Sequence, residues 1–145
     1  MKTKLIITIT SAILVLTSGS FISLKNSTAK PVSKNINVEV YKTASYVSPA
    51  YADTYATLQV TVVKVHGNKK DITWQHTFDP KQLKDYPDSG KPMVQTITIP
   101  NVNDKKEKLE IYYKVTYNTK GSELNFFDGT IIGKGEQSGK LDVKI

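Results

Sequence analysis

The sequence predicts an all-β fold, a single antiparallel β-sandwich of about seven strands. Three observations predict it. Residues 55–78 read YATLQVTVVKVH, then GNKK, then DITWQHTF, two runs of β-branched and aromatic residues folded back on a polar turn. Leu109 to Asn118 (LEIYYKVTYN) alternates, with Leu109, Ile111, Tyr113, Val115 and Tyr117 on one face. Turn residues recur between such runs, and no long stretch carries a helical period.

The first segment stands apart from this domain. Lys2 and Lys4 precede an apolar run from Leu5 to Leu16, and small polar residues follow, the pattern of a secretory signal peptide. Ser18-Gly19-Ser20 and Ser27-Thr28-Ala29 both suit cleavage. The second is preferred, because FISL extends the apolar run to Leu24. Residues 1–29 are therefore read as leader, 30–35 as a flexible tail with one Pro, and 36–145 as the sandwich. The rival reading makes residues 5–24 an uncleaved membrane anchor; the many Ser and Thr in that run weigh against it. No later segment is long and apolar enough to span a bilayer. The mature chain is thus expected outside the cytoplasm, secreted or in the cell envelope.

Within the domain, Ile36 to Lys42 (INVEVYK) is the first strand, with Ile36, Val38 and Val40 on one face. Thr43 to Thr54 is a loop rich in Ala, Ser and Tyr, in which Ser48-Pro49 can start one helical turn. The long hairpin follows. A four-residue loop, Gly67 to Lys70, sets His66 opposite Asp71, Val65 opposite Ile72 and Val63 opposite Trp74. On that register Ile72, Trp74, His76 and Phe78 share the core face, with Trp74 at its centre. Leu58, Val60 and Val62 lie on the other parity, which calls for a bulge near Val62 and Val63 or a strand covered on both faces. Asp79 to Pro92 is a long polar connection. Met93 to Ile99 is a strand closed by Pro100. Asn101 to Lys108 turns into the Tyr-rich strand. A further strand lies within Glu123 to Ile132, Gly133 to Gly139 is a flexible turn, and Lys140 to Ile145 closes the domain.

The Trp in the third strand and the alternating Tyr-rich strand after MVQTITIPNV resemble the third and sixth strands of immunoglobulin-like and fibronectin type III-like domains. The likeness implies a two-sheet sandwich and no particular function. The Cys pair of true immunoglobulin domains is missing. A transthyretin-like sandwich is the alternative layout.

Composition excludes several functions. There is no cysteine, which closes both disulfides and lipid attachment at a cleavage-site Cys. All 20 basic residues are Lys, interspersed with 13 acidic ones. The mature chain keeps a modest positive charge that would draw it to anionic polymers. Without Arg it lacks the planar fork for phosphate or guanine, so specific nucleic-acid recognition is not expected. Only two His exist. His66 beside Asp71 reads as a surface pair and His76 as a core residue; neither builds a triad or a zinc site. Gly133 to Lys140 resembles a phosphate loop, but five residues separate Gly133 from Gly139, Leu141 stands where Ser or Thr would hold magnesium, and no helix follows. It reads as a hairpin loop. Asp79, Asp85 and Asp88, or Asn101, Asn103 and Asp104, match no calcium-loop spacing. No carboxylate pair is singled out for hydrolysis. No catalytic residue, metal or cofactor is expected.

The tyrosines are the remaining signal. Tyr41 lies beside the first loop, Tyr46, Tyr51 and Tyr55 lie in or beside it and Tyr86 in the long connection, and Tyr gives amphipathic contact area at low entropic cost. With Trp74 as a stacking platform, Tyr46, Tyr51, Tyr55 and Tyr86 are the candidate ligand-binding residues. The expectation is an exported, non-catalytic binding or structural surface protein whose partner is a cell-wall or extracellular polysaccharide or another protein. The alternative is a secreted inhibitor or toxin-like effector presenting a loop such as Asp79 to Pro92 to an enzyme or membrane. A pairing partner at an exposed edge beside the first or last strand would be compatible with either.

Overall fold

The computed structural model describes residues 30–43, 51 and 53–145. The expected leader, Tyr46 and the Ser48-Pro49 turn lie outside the described residues. Among the described residues eight strands form: β1 (Val32–Tyr41), β2 (Tyr55–His66), β3 (Lys69–Thr77), β4 (Lys81–Gln82), β5 (Met93–Val102), β6 (Glu107–Thr119), β7 (Ser122–Ile132) and β8 (Ser138–Lys144). They make two sheets. One has three strands in the order β5-β1-β8. The other has five, ordered β3-β2-β6-β7, with short β4 also on β2. The all-β sandwich stands. Its pairing is antiparallel except between β1 and β8, which run parallel.

The core lies between the sheets, and the expected alternation builds most of it. Ile36, Val38 and Val40 of β1 and Leu141 and Val143 of β8 face Ala56, Leu58, Val60 and Val62 of β2 and the Leu109-to-Tyr117 face of β6. Each of these side chains is essentially removed from water, worth roughly 1.5–3 kcal/mol for a full-sized aliphatic. β2 and β6 pair over twelve residues without a register shift.

Three expectations need correction. The first concerns the hairpin. Its loop is two residues, Gly67-Asn68, with His66 opposite Lys69. Gly67 takes a positive φ of 58° and Asn68 does not, the pattern of a type II′ turn with Gly at its first central position. That turn follows the twist of the strands, so Lys69 and Lys70 enter the ladder instead of the loop. Beyond it Ile72 pairs with Val63 but Trp74 with Val62, so Thr73 is an extra residue, a β-bulge. The expected bulge is therefore present, in the partner strand. It throws Ile72 onto the outer face, where it is 65% exposed, and leaves Trp74 on the inner face. Because β3 is an edge strand, Trp74 only leans on the rim of the core and is half-buried. The central core position belongs to β2 and β6.

The second correction is the tail. β1 begins at Val32, and Lys34 continues the inward parity of Ile36 with its side chain fully buried. Its ammonium is held by Asp104 Oδ1 (2.7 Å) and donates to the Gly133 carbonyl (2.7 Å). Asp104 Oδ1 also accepts the Gly135 N–H (2.9 Å). Three chain segments are tied at one end of the sandwich.

The third is the Gly-rich segment after β7. It is no hairpin loop, since β7 and β8 lie in different sheets; it arches between them. Gly139 is needed there, because a Cβ would lie 2.4 Å from Ile132 Cγ1. Likewise β5 does not stop at Pro100. It continues to Val102 through an irregularity in which Asn101 takes a φ of 57°. A Pro in a strand is tolerated here because β5 is an edge.

Candidate functional site

β7 and β8 are the edge strands of their respective sheets on the same side of the sandwich. They converge where the Gly133–Gly139 arch joins them and leave an open seam below it. The seam is a hollow of about 590 Å³ whose floor and walls are Tyr41, Tyr113, Tyr117, Phe126, Asp128, Thr130, Lys140, Asp142 and Lys144, together with Gly129 and Leu141. Period 2 explains the β7 contribution: Leu124, Phe126, Asp128 and Thr130 pair with Tyr117, Val115, Tyr113 and Ile111 of β6 and so share the inward face. The three-stranded sheet does not reach far enough to cover them, and Phe126 is 49% exposed. Its ring lies 6.3 Å from that of Tyr113, tilted by 42°. β8 supplies the opposite wall. Lys140 there bridges Glu39 (2.9 Å) and Asp142 (3.0 Å).

A second hollow of about 540 Å³ lies beside the first end of β7. It is lined by Tyr51, Thr54, Leu83, Tyr117, Thr119, Ser122, Glu123 and Leu124. Tyr117 borders both. Each has aromatic and apolar residues along its floor and charged or hydroxyl groups at its rims. Burial pushes the Tyr113 hydroxyl above its ordinary range, with further contributions from Asp128 nearby. Asp128 Oδ1 accepts the Gly129 N–H (2.7 Å), and Asp142 is tied to Lys140.

The structure divides the sequence-based candidates. Tyr51 is exposed and lines the second hollow. Tyr55 is exposed on the other face of the five-stranded sheet, where its hydroxyl accepts from Gln82 Nε2 (3.1 Å). Trp74 lies on the far edge, in a row with His76 (ring centroids 5.9 Å, tilted) and Phe78, which meets His76 edge to face. Tyr86 is only 4% exposed and its hydroxyl donates to the Ala56 carbonyl (3.1 Å), which makes it a core residue. Leu83 is buried with it, so the connection after β3 is pinned down through its middle and is not a free loop. His76 is exposed, and His66 faces Glu107 (3.7 Å), while Asp71 pairs with Lys69 (3.2 Å). The new partners of His66 and Asp71 follow from the two-residue turn, and the exposure of His76 from its place on an edge strand. Phe126, Asp128 and Lys140 were missed, since only the meeting of β7 with β8 brings them together. Their one sequence signal is an aromatic pair inside an edge strand.

On the outer face of the five-stranded sheet Glu110 gathers three donors: Lys70 (2.7 Å), the Tyr112 hydroxyl (2.6 Å) and Lys108 (3.0 Å). The bond from Lys70, then those from Tyr112 and Lys108, lower its carboxyl to about 2. The cluster is internally satisfied and is read as structural. Among the described residues no group of three or more His, Cys, Asp or Glu is placed to hold a metal, and no helix is long and apolar enough to cross a membrane.

Fold and cleft together define a small β-sandwich with an open, aromatic-floored seam along one side. No protein-family model matches the chain, and no curated protein and no solved structure matches it.

Proposed function

We propose that this is an exported, non-catalytic binding protein that holds an extended polysaccharide in the seam between β7 and β8. The observation that carries the reading is Phe126, a half-exposed aromatic ring lining a hollow that also presents Asp128, Lys140, Asp142 and Lys144. Sugar rings present an apolar face bounded by hydroxyls. An aromatic platform takes the first, and the carboxylates of Asp128 and Asp142 with the ammonium groups of Lys140 and Lys144 take the second. Such groups recognise neutral or mixed-charge polymers better than polyanions, since both signs line the wall. The leader expected at residues 1–29 supports export. Tyr51 adds a ring in the second hollow. The test is titration of the purified protein with soluble glucans, chitin oligosaccharides and cell-wall glycan fragments. One class should bind, and Phe126→Ala should abolish that binding while leaving the melting temperature nearly unchanged. Binding that survives Phe126→Ala would contradict the assignment of the seam.

A further inference from the structure

The edges of the two sheets are not alike. β3 carries Lys69, Lys70 and Asp71 and the Thr73 bulge. β5 contains Pro100 and the kink at Asn101. β8 alternates Lys140, Asp142 and Lys144. These are the devices by which natural sheets prevent edge-to-edge pairing. β7 has fewer of them: no Lys, no Pro and no register shift over its eleven residues, and only Glu123 and the inward-facing Asp128 as charges. It carries instead Leu124 (69% exposed), Phe127 (67%) and Ile131 (57%), with Phe126 beside them.

We propose that β7 is the self-association edge of this protein and pairs antiparallel with β7 of a second copy about a two-fold axis at Phe127. The strand's own sequence argues for this occupant. Its midpoint is Phe127, so a two-fold there overlaps all eleven residues, from Ser122 against Ile132 of the second copy onward. The register keeps like charges apart: Asp128 falls opposite Phe126 and Glu123 opposite Ile131. A shift by one step would set Asp128 against Asp128, which is unfavourable. The backbone agrees. The exposed Gly129 N–H donates to the Asp128 carboxylate, whereas amides that face β6 are spent in the ladder. Odd-numbered residues of β7 therefore present their N–H and C=O to the free edge. In the proposed register these pair as Phe127 with Phe127 and Asn125 with Gly129. On the outer face the two Phe127 rings meet at the axis, each with Lys114 Nζ 5.8 Å from its centroid. On the inner face the pairing extends the floor of each seam into that of its neighbour.

The test uses the protein as its producing cells leave it. Light scattering should give twice the chain mass at high concentration. Phe127→Lys, which sets two ammonium groups against each other at the axis, should return the mass to one chain with an unchanged strand signal in circular dichroism. The absence of any native cysteine allows a second, register-specific readout. Phe127→Cys should cross-link to itself on mild oxidation, and Asn125→Cys should not, because its opposite number is Gly129. A wild-type protein that stays monomeric at every concentration would overturn the proposal. So would a dimer that Phe127→Lys leaves intact, or one in which Phe127→Cys fails to cross-link.

Discussion

Replacing Lys34 by Met isolates the role of a buried ammonium in this sandwich. Met keeps an unbranched stem of similar length, so the apolar packing around Lys34 is retained and no cavity opens. What is lost is the charged donor. The Gly133 carbonyl then has no partner from Lys34, and a buried acceptor left unpaired costs about 1–3 kcal/mol. Against that, the desolvation penalty of the ammonium is also removed. Asp104 is partly solvated and keeps the Gly135 N–H, so its charge rehydrates. The net expectation is a loss of about 2 kcal/mol at neutral pH, a fall in melting temperature of roughly 8 °C for a domain of this size. Urea unfolding followed through Trp74 emission measures it. The acid side gives an independent check. The bond from Lys34, then the one from Gly135, hold the Asp104 carboxyl below its ordinary range. A depressed carboxylate contributes stability that is present above the unfolded value, near pH 4, and fades as pH falls through the folded one. Lys34→Met should flatten that acid limb as well as lower the plateau. A variant as stable as wild type, with the same acid limb, would refute the view that this ion pair fastens the ends of the sheets.

Other outcomes follow from the same structure. Gly129→Ala should destabilise the protein strongly, by about 2 kcal/mol or more, because its Cβ would lie 2.3 Å from the Ile111 carbonyl oxygen and force β6 and β7 apart; thermal denaturation with Gly90→Ala, at an open position, as control reports it. The Glu110 carboxyl should titrate near 2 in a carbon-detected NMR series, and Tyr112→Phe should raise that value by removing the second-ranked of its donors. The stability linked to Glu110 is present above its unfolded value and is lost as pH falls toward 2. The emission of Trp74 should be intermediate in colour and partly open to quenchers, as fits a half-buried ring, where a fully protected blue emission would contradict its place on an edge strand.

The fold was legible where burial on one face imposes period 2 on the sequence. β1 from Ile36, β2 and β6 show it plainly, and their inward residues are the core. Legibility failed where the physics is local and weakly coded. Thr73 has nothing to mark it as an extra residue, yet it reverses the facing of everything between it and the turn. Gly67-Asn68 is a good type II′ pair, but the two lysines after it look like loop. Lys34 reads as part of a solvated tail because lysine is almost never fully buried without a partner, and its partner Asp104 is seventy positions away. The seam was hidden for a different reason. β7 shows apolar side chains on both faces, so alternation does not say which face is inward, and β8 meets it only through the crossing between sheets. The tyrosine signal pointed to aromatic contact area but only partly to the right residues: Tyr86 went into the core and Tyr55 onto the other face, while Tyr51 and Tyr41, beside the first loop, line the two hollows.

The most direct test of the account is a single NMR titration of the uniformly labelled protein with the polysaccharide class that binds. The account predicts that the amides of Phe126, Asp128, Lys140 and Asp142 shift together with saturable dependence, while those around Trp74 and Tyr55 do not move. Shifts confined to the Trp74 edge, with β7 and β8 silent, would contradict it.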